Sequence, residues 1–135
     1  LSEKPLFTQT CHCKDCKILT GSSYVINSSI LENTLTITEG ELLATKKLIA
    51  GSGKFVTIFF CKNCGVYIYT DYESAIGRLN VRTQSLENSK TFPPQVHIFT
   101  KDIMYHSKNN SKFLIICCIE YFIMLHLNIL CLILF

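Results

Sequence analysis

Gly51-Ser52-Gly53-Lys54-Phe55-Val56-Thr57-Ile58-Phe59-Phe60-Cys61-Lys62-Asn63-Cys64-Gly65 is the stretch on which the fold reading turns. It opens with a glycine-bounded turn. A run of β-branched and aromatic residues follows, and the run ends in a Cys-x-x-Cys pair. The pattern predicts a hairpin closed at residues 51–53, whose second strand, Lys54 to Phe60, delivers a cysteine knuckle. Working outward, Ser23 to Ile30, Thr34 to Thr38, Glu41 to Ile49, Val66 to Thr70, Arg78 to Thr83 and Gln95 to Thr100 also read as strands, with Glu39-Gly40 as a turn. Before residue 100 no segment sustains a 3.6-residue apolar period. The expected fold class is therefore mainly β.

A second cysteine group lies nearer the start, as Cys11-His12-Cys13-Lys14-Asp15-Cys16. No secretory signal opens the chain, since residues 1–10 carry Glu3, Lys4 and Pro5 and no long apolar run. In a reducing compartment such spacings read as metal ligands rather than disulfides. The expected setting is cytoplasmic, and the expected ion is zinc. Two arrangements are open. Cys13, Cys16, Cys61 and Cys64 could form one closed four-thiolate staple of the structural kind. Alternatively, Cys11, Cys13 and Cys16 form a three-ligand set with one position left for substrate.

The 135 residues suffice for one domain with a core. The chain starts at Leu1 and not at Met, so a processed or fragmentary protein is expected. A net charge of +3 is too slight for a nucleic-acid footprint, and no nucleic-acid partner is expected. The reading divides the chain into a zinc-binding β domain over 1–106, a polar linker over 107–112 and an apolar tail over 113–135. As a helix the tail would extend about 34 Å, enough for a bilayer core. Glu120 is costly near a helix centre. The tail is thus read either as a membrane anchor or as non-native read-through.

The order of landmarks is specific. Cys11-His12-Cys13-Lys14-Asp15-Cys16 is followed by Thr20-Gly21-Ser22, then Gly51-Ser52-Gly53-Lys54, then Phe60-Cys61-Lys62-Asn63-Cys64-Gly65. Ser85-Leu86, Pro94, His97-Ile98-Phe99 and Lys101 come after. Over roughly residues 11 to 104 the chain resembles the glutathione-dependent formaldehyde-activating enzymes, the family that includes centromere protein V. The resemblance implies a β-tent fold, a small set of folded antiparallel sheets. It implies two zincs: one held by Cys11, Cys13 and Cys16, which receives glutathione, and one held by Cys61 and Cys64 with an N-terminal Cys-x-Cys pair. The implied activity is carbon–sulfur bond formation between glutathione and a small aldehyde, formaldehyde in the type reaction, as in a carbon–sulfur lyase.

This chain departs from the family pattern at three points. The N-terminal Cys-x-Cys pair is absent, Gln84 replaces the usual Gly, and no tryptophan-containing segment closes the domain. The alternatives carried forward are a non-catalytic zinc-stapled binding module and an inactive remnant. His12 is the candidate proton donor, and Lys14, Lys17 and Arg78 are candidates for glutathione's carboxylates. Asp15 is read as orienting the knuckle, His97 as a packing histidine, and Phe59, Phe60, Tyr67 and Tyr69 as sheet packing.

Overall fold

The computed structural model describes residues 1–49 and 53–105, together with the backbone of Leu114–Ile115. The strands are β1 (Phe7–Cys11), β2 (Val25–Leu31), β3 (Leu42–Ile49), β4 (Lys54–Cys61), β5 (Tyr67–Tyr72), β6 (Arg78–Arg82), β7 (Val96–Ile98) and β8 (Leu114–Ile115). Among the described residues one α-helix, α1 (Lys14–Thr20), joins β1 to β2. The strands form a single sheet in the order β3-β4-β5-β6-β2-β1-β7-β8. The mainly β class stands. The expected set of small sheets is one continuous sheet, and the β1–β7 and β7–β8 pairs are parallel.

The long hairpin is as expected, with β3 paired to β4 from Leu42↔Cys61 to Ile49↔Lys54. Thr34 to Thr38 is not a strand. A 3-10 turn occupies Glu32–Thr34, where the Thr34 hydroxyl donates to the Leu31 carbonyl at 2.7 Å. That local bond holds the chain in a turn, and Leu35 then packs on the core instead of pairing. The tail readings over 113–135, anchor or read-through, fall outside the described residues apart from the two-residue β8. Among the described residues no helix is long and apolar enough to cross a membrane.

Two apolar clusters build the body. On one face Ile30, Leu79 and Val81 are buried under Leu35, Tyr69 and Leu86. The other cluster, Val56, Ile58 and Tyr67, packs with Ile49 and Tyr72 at the β3–β5 end. The sheet curls strongly. β3 and β1 are five positions apart in the strand order, about 24 Å in a flat sheet at about 4.8 Å per strand. Yet Lys47 of β3 forms an ion pair with Asp15 of α1, directly after β1. The curled sheet is a trough, and α1 lies across its open side.

Candidate metal centre

Strand register selects which side chains look into the trough. Gln9 pairs with Asn27 and Asn27 with Arg82, while Asn80 pairs with Thr70 and Thr70 with Ile58. Side chains on directly paired residues share a face. These rows place Gln9, Cys11, Asn27, Asn80, Thr70, Ile58 and Val56 on the concave side, and all of them line a cavity of about 310 Å³. The floor, from the central strands, is polar and buried, with Asn27 and Asn80 at 4% and 7% exposure. The walls, from β3–β5 and α1, are apolar. Asn27 Oδ1 has no hydrogen-bond partner, an uncommon state for a buried amide and one that marks this face as built for a ligand or solvent.

At one end of this cavity sit Cys11, Cys13 and Cys16. β1 places Cys11 as its last residue, buried beside β2 and β7. Cys13 is the N-cap of α1, its sulfur accepting the Cys16 N–H at 3.3 Å. Cys16 follows one turn into the helix. The helix ends at Thr20, whose hydroxyl donates to the Cys16 carbonyl at 2.8 Å, and Gly21 takes the left-handed conformation (φ 63°) that a side chain would disfavour. A six-residue segment thereby turns three thiols toward one point.

The three sulfurs lie within 4.8 Å of one another. A tetrahedral ion with metal–sulfur bonds of about 2.3 Å would set them about 3.8 Å apart, within reach of small side-chain rotations. The electrostatics suit a cation. Cys13 is held down at about 3, because Cys11 and Cys16 donate hydrogen bonds to it, aided by the backbone N–H groups of Cys16 and Asp15. Cys11 is raised, chiefly by the hydrogen bonds it donates to Cys13 and Cys16, and then by burial. Cys16 stands at about 12. The Cys11 contact lowers it, but its bond to Cys13, burial and the Cys13 charge together outweigh that. Cys13 is thus the thiol most favoured as thiolate, and a cation would displace protons held by its two neighbours. The group could hold a metal ion and leave a fourth position facing the cavity.

Cys61 and Cys64 stand elsewhere. Among the described residues they join no group of three ligands. Their knuckle is well formed all the same: Gly65 N–H donates to the Cys61 carbonyl at 2.9 Å, and Gly65 takes φ 69° to complete the turn. Cys61 is shifted down by backbone N–H groups of Cys64 and Asn63. Cys64 is exposed. All five described cysteines are free thiols.

His12 does not line the cavity. It is 2% exposed, and its Nε2 lies 2.9 Å from His97 Nδ1. The two rings stack at 5.2 Å, and Tyr24 borders His12 at 5.7 Å. Burial, then the neighbouring charges of His97 and Lys17, push His12 down to about 4; burial also lowers His97. Both rings are neutral near pH 7. Lys17 donates to the Asp102 carbonyl at 2.6 Å. Lys14, Lys17 and Arg78 do not line the cavity.

Arg82, Asn27 and Asn80 were not singled out by sequence, and Phe99 only as part of a landmark tripeptide. Arg82 lies over the Tyr67 ring at 5.1 Å, with one buried Nη1 unpartnered, and burial lowers its pKa. Phe99 lines the cavity at φ 55°, the one non-glycine with positive φ among the described residues. No spacing in the sequence announces these residues, because separate strands assemble them.

Comparison with curated proteins finds no match. Comparison with protein families finds one, over residues 1–102, described as glutathione-dependent formaldehyde-activating enzyme. With the cysteine trio, the cavity and most of the chain inside that match, the protein belongs to the glutathione-dependent formaldehyde-activating enzyme family.

Proposed function

We propose that this protein is a zinc-dependent carbon–sulfur lyase-type enzyme that adds the thiol of glutathione to formaldehyde or a related aldehyde. The observation that carries the reading is the convergence of Cys11, Cys13 and Cys16 at the end of a ligand-sized cavity. These three residues would hold zinc, which when bound supplies a site that keeps an incoming thiol as the nucleophilic thiolate. In the reaction a carbon–sulfur bond forms at the carbonyl carbon. The C=O π pair moves to oxygen, which takes up a proton, while the thiol gives one up; nothing is oxidised or reduced.

The chain's own residues confine and orient the reactants. The apolar walls exclude water from the carbonyl. The amides of Asn27 and Asn80 floor the cavity, and an amide N–H there can donate to an oxygen gaining charge. Proton donation by His12 belongs to the same proposal; because the ring does not line the cavity, its proton would have to pass through an intervening water or a neighbouring thiol. It predicts that His12→Gln lowers kcat at unchanged metal content. If His12 only positions the Cys11–Cys13 segment, the same substitution lowers metal content instead. A cytoplasmic setting, where thiols stay reduced, fits the five free cysteines.

The test is glutathione-dependent turnover of the zinc-loaded full chain against its Cys13→Ser variant. Turnover that depends on Cys13 supports the reading. Equal turnover by the variant, or none by either, refutes it. In the second case zinc bound without thiol affinity would indicate the stapled binding module, and no zinc would indicate the remnant.

A further inference from the structure

Formaldehyde has two heavy atoms. It displaces about two waters' worth of volume, roughly 60 Å³ at about 30 Å³ each. The cavity beside the thiols is about 310 Å³. Its walls are Val56, Ile58 and Tyr72 from the sheet and Ile18 and Leu19 from α1. Water held there would find few partners away from the amide floor. The lining carries two charged side chains, Lys47 and Asp15, and they pair with each other across the mouth. Among the described residues the lining thus offers glutathione's carboxylates no cation beyond this paired Lys47. The charged peptide ends belong outside the mouth, with the thiol reaching in, and most of the apolar volume is left to the other reactant.

We propose that the electrophile accepted at this site is an aldehyde bearing an apolar body, of about benzyl or branched-alkyl size, in preference to formaldehyde. The proposal rests on the thiol-addition reading above. The apolar group lies against Val56, Ile58 and Tyr72, and the carbonyl faces the thiols. The chemistry is unchanged: one carbon–sulfur bond forms, the carbonyl oxygen gains a proton, and the product is the hemithioacetal.

The test uses the zinc-loaded full chain with glutathione, following hemithioacetal formation above the uncatalysed rate. Phenylacetaldehyde should exceed formaldehyde in kcat/KM by about tenfold or more, the effect of about 1.4 kcal/mol of added apolar burial. Ile18→Asp, which sets a charge on the apolar wall at a residue 70% exposed, should cut that ratio several-fold without disturbing the fold. Formaldehyde turned over as well as phenylacetaldehyde, or a ratio unmoved by Ile18→Asp, overturns the proposal. Binding is read separately by calorimetry with 2-phenylethanol, an unreactive analogue. Saturable binding weakened by Ile18→Asp supports the apolar subsite, and absence of binding overturns it. If the alcohol binds but no aldehyde is turned over, thiol addition itself has failed, and the electrophile assignment falls with it.

Discussion

His12 Nε2 and His97 Nδ1 meet at 2.9 Å across 85 residues of sequence, one ring from the segment that carries the thiols and the other from β7. The bond continues a backbone match: Cys11 pairs with Ile98, and His12 N–H donates to the Ile98 carbonyl at 3.1 Å. One nitrogen of the pair must donate and the other accept, so each ring fixes the other's tautomer. Truncating one ring strands the other in a buried site. His97→Ala should therefore destabilise the protein by about 1–3 kcal/mol, plus the packing lost with the ring. The double variant His12→Leu, His97→Leu should cost less than the sum of the two single changes, because neither polar ring remains. Urea midpoints of the four proteins check this; strict additivity would show that the pair is not coupled.

Metal content should separate the two cysteine groups. Cys13→Ser removes the sulfur to which both other thiols of the trio donate, and should lose the ion bound there. Cys64→Ser, on an exposed knuckle outside the trio, should leave that ion in place. Elemental analysis of the purified full-length variants decides. Equal losses would restore the closed four-thiolate staple. Chelation should lower the unfolding temperature of the wild type and leave Cys13→Ser nearly unmoved.

On the convex side, three hydroxyls form a buried relay. Thr8 Oγ1 lies 3.0 Å from Ser28 Oγ, which lies 2.9 Å from Thr83 Oγ1. Ser28 is 0% exposed and serves both neighbours. Ser28→Ala leaves two hydroxyls without their shared partner and should cost about 1–3 kcal/mol. Thermal unfolding measures it. A loss near zero would mean that the two threonines re-pair elsewhere.

Phe99 separates strain from packing. A left-handed conformation costs a side-chain-bearing residue about 1–2 kcal/mol and glycine almost nothing. Phe99→Ala and Phe99→Gly lose the same ring, but only glycine releases the strain. Phe99→Gly should be more stable than Phe99→Ala by about 1 kcal/mol, the reverse of their order in an ordinary strand. Denaturant titration of both variants is the check.

The hairpin and its knuckle were legible because β3 and β4 are neighbours in sequence, separated only by a short glycine-containing stretch. β1 was not. Thr8, Gln9 and Thr10 are all buried between β2 and β7, so its polar residues gave no apolar alternation to read. α1 escaped because seven residues make fewer than two turns, and its cap is Cys13 rather than one of the usual hydroxyl or carboxylate caps. For the site, the thiols are local in sequence and were read from spacing. The cavity floor was not, since Asn27, Asn80 and Thr70 come together only when β2, β6 and β5 are in register.

The parallel pairing of β1 with β7 also orders events during synthesis. β1 can join β2 as soon as Leu31 has left the ribosome, but its other edge stays open until residues 96–98 are made. Closing so large a loop is among the slower steps available to a chain of this length. The three thiols need no such wait, because Cys11 to Cys16 is one hexapeptide. An ion captured by the nascent chain would travel with it, and β7 would then close over a centre already loaded.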